Sequence, residues 1–284
     1  MDIKIWLQVA QLTLVHSNAS KRDAEILLEF VMEKPKSWLK AFDDASIRSK
    51  ELKRLNFFLN KRVQGYPIAY LIEEWEFWSL PLKITPITFI PRTDTETLVS
   101  QALLHITNAS MRILDLGTGS GAIALAIAWE RSDCYILGVD YNQLCVFLAQ
   151  YNAWKLGIKN ATFIYSNWFS TLSGKSFHII VSNPPYIDRT DIHLKCGDLR
   201  FEPTKSLIAQ NKGMGDLKKI IFQSSNYLEY EGWLLVEHGY QQGEQVRKFM
   251  IQNNFEHVRT YFDFYNNERV TSGQKLNRGN FYHN

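Results

Sequence analysis

Hydrophobic residues recur with helical spacing through the first sixty positions of the chain. They form two stripes: Ala24, Leu27, Leu28 and Val31, and then Leu52, Leu55, Phe58 and Leu59. Such spacing is typical of amphipathic helices that pack their apolar faces together. We therefore expect residues 1–62 to form a small helical bundle, with Ser20 and Asp23 as a capping box at one helix start.

Residues 65–91 have a different residue pattern from the helical stripes before them. Prolines at 67, 81 and 86 interrupt any helix, and the aromatic and aliphatic residues between them favour short strands. We interpret residues 76–91 as a β-hairpin linker that follows an all-helical domain at 1–75.

From residue 92 onward, short apolar runs alternate with helical stretches. The predicted strands are 112–116, 135–140, 162–165, 178–182, 233–238, 257–263 and 269–272, and the main predicted helices are 122–131, 142–157 and 215–229. Strands separated by helices indicate crossover units and a mainly parallel sheet, whereas the last two strands predict an antiparallel hairpin. Residues 92–284 are thus expected to form one α/β domain.

Composition narrows the class of protein only modestly. The 284 residues carry a formal net charge of +3, which permits a nucleic-acid partner without requiring one. Three cysteines without CxxC spacing argue against a disulfide framework or a zinc site. The longest apolar run, 122–129, is too short to span a bilayer, and the N-terminus resembles no secretory signal. We expect a soluble, cytoplasmic protein with no membrane partner.

A glycine-rich turn follows the first strand of the α/β domain. Residues 113–121 read ILDLGTGSG, and Asp140 closes the next strand twenty-one positions after Gly119. Glycines let the backbone approach a ligand closely, and an acid at this spacing suits the two hydroxyls of a ribose. The loop is GxGxG rather than GxGxxG, and Asp115 would repel a pyrophosphate. S-adenosylmethionine is therefore favoured over a dinucleotide, although the loop alone leaves both open.

Two further residues of this region have a structural alternative to ligand binding. Asp140 could cap the helix that follows it instead of binding ribose. Trp168, which follows the third strand, could stack on adenine or could simply cover the edge of the sheet.

The tetrapeptide Asn183-Pro184-Pro185-Tyr186 follows a buried strand. It suits the methylation of a planar NH2 group, whose delocalised lone pair makes it a poor nucleophile. An asparagine side-chain oxygen and a rigidly held proline carbonyl can accept its two hydrogens, and a tyrosine ring offers a flat wall. A strand that ends in a proline turn is the alternative reading of these four residues.

Taken in order, DLGTGSGAIALA, GVD, SNW and VSNPPY look like a class I S-adenosylmethionine-dependent methyltransferase. The strings TFIPRTDTE, GDLRFEP, VEHGYQQGEQVR and NERV narrow the match. Together they resemble the HemK/PrmC family of protein-(glutamine-N5) methyltransferases over essentially the whole chain. The resemblance implies a Rossmann-like domain with a seven-stranded, mostly parallel sheet and a small all-α N-terminal domain joined by a β-hairpin.

The same resemblance implies a reaction and its residues. The substrate would be the glutamine of the Gly-Gly-Gln motif in class I peptide chain release factors, and S-adenosylmethionine would donate the methyl group. The cofactor would contact Gly117, Thr118, Gly119, Ser120, Gly121, Asp140, Trp168 and Asn183, while Asn183, Pro184, Pro185 and Tyr186 would hold the glutamine amide. Asn183, Pro184 and Tyr186 would be the catalytic residues. The sulfonium is already an activated leaving group, so no metal is expected.

Three positions depart from the family pattern, and none of them touches the proposed chemistry. Thr93 replaces a proline of PRPDTE, Glu73 replaces a frequent glycine, and Asn267 follows Asn266 where aspartate commonly precedes the asparagine. A positive φ at Glu73 would be strained.

Recognition of one glutamine among many requires more surface than the amide slot offers. We therefore expect the helical domain to recognise a folded release factor, with the enzyme acting as a monomer without direct nucleic-acid contact. The main alternative is an adenine-N6 nucleic-acid methyltransferase, which faces the same chemical problem, but the basic residues of the N-terminal region are interspersed with acids. A non-catalytic S-adenosylmethionine-binding protein is a further alternative, and it is hard to reconcile with an intact NPPY sequence.

Overall fold

The computed structural model describes residues 1–15, 17 and 19–276. Two compact units divide the chain: the first comprises residues 1–74 together with 195–201, and the second comprises the remainder. No helix in the described ranges combines the length and the apolar character needed to cross a membrane.

The first unit is helical, as predicted. Its helices are α1 (Ile3–Thr13), α2 (Ser20–Met32), α3 (Lys36–Ala41), α4 (Ser49–Val63) and α5 (Ile68–Ile72). The two predicted stripes supply buried residues of α2 and α4, among them Leu27, Leu28 and Leu55, which are fully buried. The bundle is thus held together by the apolar faces that the sequence pattern indicated.

The predicted capping box at Ser20 is wrong. Ser20 is already the first residue of α2, and the capping position is Ala19, whose side chain accepts no hydrogen bond. Asp23 is instead buried, where its Oδ2 accepts hydrogen bonds from Arg62 Nε at 2.8 Å and from Ser17 Oγ at 2.8 Å. The Asp23 carboxylate therefore bonds to Arg62, 39 positions away in the chain, and does not serve as part of a cap at the start of α2.

A segment distant in sequence completes this unit. Arg62 also donates from Nη1 to Asp198 Oδ1 at 3.0 Å, and the rings of Tyr66 and Phe201 lie 4.5 Å apart. Glu73, which follows the last residue of α5, has a φ of 56°, a left-handed conformation that is uncommon for a residue other than glycine.

The hairpin predicted over residues 76–91 is formed by β1 (Glu74–Phe77) and β2 (Leu80–Lys83), so its pairing begins two residues earlier than predicted and ends at Lys83. Trp78 and Ser79 connect the strands, with φ values of 53° and 57°. Left-handed conformations at both central residues match the twist of a two-residue hairpin turn.

The second unit contains a seven-stranded sheet. Its strands are β3 (Arg112–Leu116), β4 (Tyr135–Asp140), β5 (Ala161–Tyr165), β6 (Phe177–Ser182), β7 (Leu228–Glu237), β8 (Phe255–Phe262) and β9 (Glu268–Lys275). The spatial order is β5-β4-β3-β6-β7-β9-β8, and only β9 and β8 bring antiparallel pairings. The predicted α/β fold with a mostly parallel sheet and a terminal hairpin is confirmed.

Helices surround this sheet. They are α6 (Glu96–His105), α7 (Ala122–Glu130), α8 (Gln143–Leu156), α9 (Thr204–Leu207), α10 (Gly215–Ser224) and α11 (Gly243–Gln252). The helix predicted over 215–229 is too long, because Leu228 pairs with Phe177 as the first residue of β7.

The order of the strands determines where the loops meet. β3 lies between β4 and β6, and Leu116 pairs with both Val139 and Ser182. The chain winds outward in opposite directions from the β3–β6 pair, so a crevice opens at the carboxyl ends of these two strands. The glycine turn and the NPPY segment begin at this point.

Candidate active site

A cavity of about 810 Å³ lies in the second unit at the carboxyl ends of the parallel strands. Nearly all of the residues predicted to bind cofactor or substrate line it: Gly117, Thr118, Gly119, Ser120, Asp140, Trp168, Asn183, Pro184, Pro185 and Tyr186. Gly121 does not. It begins α7 with a φ of 85°, and a Cβ there would lie 3.1 Å from the side chains of Ala149 and Leu125.

The glycine turn requires positive φ at alternate positions. Gly117 and Gly119 have φ values of 74° and 56°, which other residues adopt only under strain. The amides of Gly117 and Thr118 both donate to the carbonyl of Val139 at 2.9 Å, so the turn is tied to the end of β4. A Cβ at Gly119 would meet no atom within 4 Å, so this position faces open space.

Asp140 connects the turn to the start of α8. Its Oδ2 accepts from the amide of Gly119 at 3.0 Å, and its Oδ1 accepts from the amide of Asn142 at 2.8 Å. Burial raises the pKa of this carboxyl group, and the backbone hydrogen bonds act in the opposite direction. Asp140 does not cap α8, because the Asn142 side chain occupies that position and accepts from Leu144.

Asp115 is a fully buried acid directly beneath the turn. Thr118 Oγ1 donates to its Oδ2 at 2.6 Å, while Oδ1 has no hydrogen-bond partner among the described residues. Burial raises the pKa of Asp115 to about 7. Burying a carboxylate oxygen without a hydrogen-bond partner costs free energy unless a ligand or an ordered water donates a hydrogen bond to it.

Trp168 forms one wall of the cavity beside the turn. Its backbone is left-handed, with a φ of 53°, and a Cβ at Gly117 would lie 3.4 Å from its ring. The ring is only half-buried, so it offers an aromatic surface to the cavity beside the glycines.

The NPPY segment leaves β6 at the opposite side of the cavity. Asn183 Nδ2 donates to Thr95 Oγ1 at 3.2 Å, so the side-chain oxygen is the part of the amide that remains for other partners. The Tyr186 hydroxyl donates to Glu237 Oε1 at 3.1 Å. Gln242 Nε2 donates to the Tyr186 carbonyl at 3.0 Å, which fixes the backbone at the end of the segment.

Thr95 and Glu237 were not among the predicted site residues. Thr95 lies in a 3-10 turn at Thr93–Thr95, and Glu237 is the last residue of β7. Both are buried, and both bond to side chains of the NPPY segment. No local spacing pattern around either residue predicts such a contact. The only signal in the sequence is that Thr95 lies within the string TFIPRTDTE and Glu237 within VEHGYQQGEQVR.

Two other polar residues have structural partners. Glu202 accepts hydrogen bonds from the Arg92 guanidinium and from the amide of Ile90, so it ties two loops of this unit together. His238 engages both ring nitrogens, with the Gly239 carbonyl at 2.9 Å and Thr271 Oγ1 at 2.8 Å. Both ring nitrogens of this buried side chain therefore have partners within the protein.

The cavity residues fit S-adenosylmethionine. The open space at Gly119 admits a ligand against the backbone, and Asp140 places a carboxylate at the adjacent strand end for ribose hydroxyls. The unpartnered oxygen of Asp115 lies beneath the same turn and suits the charge of an ammonium group, directly or through water.

Comparisons with known proteins agree with this arrangement. A family model described as methyltransferase small domain matches residues 94–213, and one described as PrmC N-terminal domain matches residues 6–72. A protein of Escherichia coli K12 named release factor glutamine methyltransferase is 49% identical over 274 residues, covering 96% of this chain and 99% of that protein. The chain belongs to the release factor glutamine methyltransferase family.

A more divergent member of the same family, from Buchnera aphidicola, is 42% identical over 98% of this chain. Among solved structures, a methyltransferase from Pyrococcus furiosus superposes with a TM-score of 0.54 at 14% identity, covering 77% of this chain and 98% of that chain. A T. thermophilus 16S rRNA methyltransferase gives 0.51 at 15% identity, over 71% of this chain and 49% of that chain. These two structures support the methyltransferase fold, and the resemblance drawn from the sequence motifs is confirmed.

Proposed function

We propose that this release factor glutamine methyltransferase family member transfers a methyl group from S-adenosylmethionine to the side-chain amide nitrogen of glutamine. The substrate is the Gly-Gly-Gln motif of class I peptide chain release factors. The observation that supports this reaction most directly is the position of Asn183–Tyr186 across one cavity from the glycine turn. The membership of the chain in the family supports the choice of substrate.

The chemistry requires the amide nitrogen to become a nucleophile. S-adenosylmethionine supplies a methyl group on an activated sulfonium. Asn183 Oδ1 and the Pro184 carbonyl accept hydrogen bonds from the two amide hydrogens, which favours a pyramidal nitrogen with a less delocalised lone pair. As the nitrogen–methyl bond forms, the sulfur–methyl bond would break to leave a neutral thioether, and one amide proton would be lost to water. Dipoles fixed in advance need no reorganisation during the reaction, and alignment of the reactants can supply roughly 7–11 kcal/mol of the barrier reduction.

The remaining site residues bind and orient. Pro185 and Tyr186 form the flat walls of the amide slot. Gly117, Thr118, Gly119 and Ser120 would hold the cofactor against the turn, Asp140 would accept from its ribose hydroxyls, and Trp168 would stack on its adenine. The fixed φ of the two prolines keeps the slot rigid.

Selection of the protein substrate is assigned to the helical unit. The amide slot contacts little more than one side chain, so it cannot select one glutamine. The outer face of α1 carries three exposed apolar residues, Ile5, Val9 and Leu12, with exposed fractions of 48%, 45% and 81%. Apolar side chains that cluster on a surface are typical of interaction sites, and we assign this α1 face to the release factor.

The enzyme is proposed to act in the cytoplasm as a monomer, without direct contact to nucleic acid. Its substrate is a folded translation factor, and one chain supplies the cavity, the amide slot and the α1 face. The molar mass measured by light scattering after size-exclusion chromatography tests whether the enzyme is a monomer.

The experiment that tests the function is methyl transfer from S-adenosylmethionine labelled in its methyl group. The enzyme is incubated with an intact class I release factor, with the same factor carrying alanine for the motif glutamine, and with adenine-containing DNA and RNA. Label is expected in the intact factor and in none of the others. Label in nucleic acid with none in protein would overturn the proposal in favour of the adenine-N6 reaction.

A further inference from the structure

The turn between β8 and β9 presents aromatic side chains to solvent. Phe264 and Tyr265 are 82% and 78% exposed, and Phe262, the last residue of β8, is 53% exposed. We call residues 262–267 the β8–β9 tip. Apolar side chains that cluster on a surface are typical of sites where another molecule binds.

The backbone of the β8–β9 tip is held in one conformation by Asp263, which is buried. Its Oδ1 accepts from the amides of Tyr265 and Asn267, both at 2.9 Å, and its Oδ2 accepts from Arg269 Nη2 at 3.0 Å. The amide of Asp263 also donates to the Asn267 carbonyl at 2.9 Å. Aromatic residues on an ordered turn lose little conformational entropy when they contact a partner, so the tip is preorganised for binding.

The β8–β9 tip lies at the same edge of the sheet as the amide slot. β6 and β7 are parallel, and the NPPY segment begins where β6 ends. β9 runs antiparallel to β7, with Val270 opposite Glu237, so the start of β9 and the turn before it lie at this edge. In the order β6-β7-β9-β8, the tip is two to three strands from β6, which is roughly 10–14 Å at the usual strand spacing.

Arg269 connects the base of the tip to the segments beside the slot. Its guanidinium lies 3.3 Å from Asp94 Oδ2, and Asp94 immediately precedes Thr95, whose hydroxyl oxygen accepts from Asn183. Its carbonyl accepts from the amide of His238, the residue that follows β7, at 2.9 Å. The tip is therefore fixed relative to the slot.

A protein that inserts a glutamine into the slot must also cover the surface around it. A specific protein–protein interface buries about 800 Å² on each partner, so a patch centred on the slot extends about 15 Å in each direction and reaches the tip. Gly117 follows β3 and Asp140 ends β4, and both strands lie on the other side of β6. The tip is thus on the side of the slot that faces away from the cofactor residues.

The composition of the tip favours a protein partner over a nucleic acid. Residues 262–267 contain no lysine or arginine, and the charge of Arg269 is matched by Asp263 and Asp94. Nucleic-acid surfaces need basic residues to neutralise phosphates. Aromatic residues without excess charge are instead typical of the core of a protein–protein interface.

We propose that the β8–β9 tip is a docking surface for the folded release factor and contacts apolar surface of the factor beside its Gly-Gly-Gln loop. This inference rests on the proposed function and adds a contact in the methyltransferase unit to the one assigned to α1. The tip binds the substrate protein without touching the reacting amide. Its contribution is therefore equal in the ground state and the transition state, and it acts on KM rather than on kcat.

The test is the double substitution Phe264→Ser with Tyr265→Ser. We expect KM for the intact release factor to rise roughly tenfold, together with the calorimetric Kd of the enzyme–factor complex measured with S-adenosylhomocysteine present. The kcat at saturating release factor and the affinity for S-adenosylmethionine should stay within about twofold. A blocked Gly-Gly-Gln tripeptide spans only about 10 Å when extended, so its methylation should be unchanged.

Two matched pairs of substitutions serve as controls. Phe264→Leu with Tyr265→Phe keeps the apolar character of the tip and should retain KM near the wild-type value. Tyr135→Ser with Tyr230→Ser removes two exposed aromatic residues near the starts of β4 and β7, at the opposite edge of the sheet. This second pair should leave both KM and Kd unchanged.

The outcomes separate this inference from the proposed function. A wild-type enzyme that leaves the release factor unmethylated would refute the function, while the calorimetric Kd would still test docking. KM and Kd of the tip variant within twofold of wild type would overturn the docking role, and so would an equal loss in the Tyr135 and Tyr230 pair. A fall in kcat or cofactor affinity with an unchanged Kd would also overturn it. Loss of RNA binding without loss of release factor binding would identify a nucleic-acid surface instead.

Discussion

The side-chain amide of Asn183 donates from Nδ2 to the hydroxyl oxygen of Thr95, 88 residues earlier in the chain, at 3.2 Å. Because of this bond, the nitrogen and the oxygen of the Asn183 side-chain amide have different surroundings. The nitrogen is bound within the protein, and the oxygen is left for the cavity. An acceptor at this point is what the methylation of an amide nitrogen requires.

Asn183→Ala should therefore reduce turnover far more than cofactor affinity. The contact of its oxygen strengthens as the amide nitrogen becomes pyramidal, so kcat should fall roughly a hundredfold. Single-turnover kinetics and calorimetry measure the two effects separately, and the exposed Asn226→Ala serves as the matched control. An unchanged kcat with a raised KM for the release factor would contradict the acceptor role.

The main features of the fold and cavity could be predicted from the sequence because they depend on local patterns. The bounds predicted for β3 and β4 match the structure, and the glycine turn and NPPY segment lie where strand order places them. Alternation of strands with helices restricts the topology, and parallel strands bring their carboxyl ends to one edge of the sheet.

Contacts between distant segments could not be predicted in this way. Asp23 bonds to Arg62 instead of supporting a cap at Ser20. Thr95 and Glu237 come from a 3-10 turn and from the end of a strand, and only the folded sheet brings them to Asn183 and Tyr186. Local spacing carries no information on such pairs.

Asp140→Ala should weaken the binding of S-adenosylmethionine. Hydrogen bonds to a charged acceptor contribute about 1.5–3 kcal/mol each, so the loss should be roughly tenfold or more in Kd. The fold should persist, as judged by circular dichroism. Asp133→Ala, an exposed acid near the opposite end of β4, is the control and should bind normally. Calorimetric affinity of Asp140→Ala within twofold of wild type would remove Asp140 from the cofactor site.

The pKa of Glu237 predicts how stability depends on pH. Burial raises this pKa from 4.5 to about 7, so the folded protein holds a proton that the unfolded chain releases earlier. The resulting stabilisation is complete below about pH 4 and is lost as pH rises through 7, with a total on the order of 3 kcal/mol.

Urea unfolding of wild type and Glu237→Gln between pH 5 and 8 measures this effect. Asp115 also has a raised pKa, but it is present in both proteins and cancels in the difference. The stability of wild type relative to Glu237→Gln should decline with rising pH. A difference that stays constant over the range would show that Glu237 keeps an ordinary pKa.

Polar substitution of the α1 face should impair only the intact protein substrate. Replacing Ile5, Val9 and Leu12 together with serine removes apolar contact area, so kcat/KM on the release factor should fall roughly tenfold. A short Gly-Gly-Gln peptide should be methylated as before. Trp129→Ser, which removes an exposed apolar residue from the last turn of α7, is the control. Equal effects on peptide and protein would exclude α1 as the recognition surface.

The central claim is that the amide nitrogen of one glutamine receives the methyl group. Tandem mass spectrometry of a class I release factor after reaction with wild-type enzyme and S-adenosylmethionine locates the modification directly. We expect a single methyl group on the side-chain nitrogen of the Gly-Gly-Gln glutamine, with almost none after reaction with Asn183→Ala. A methyl group on another residue, or an unmodified release factor beside a methylated adenine in added nucleic acid, would contradict the account.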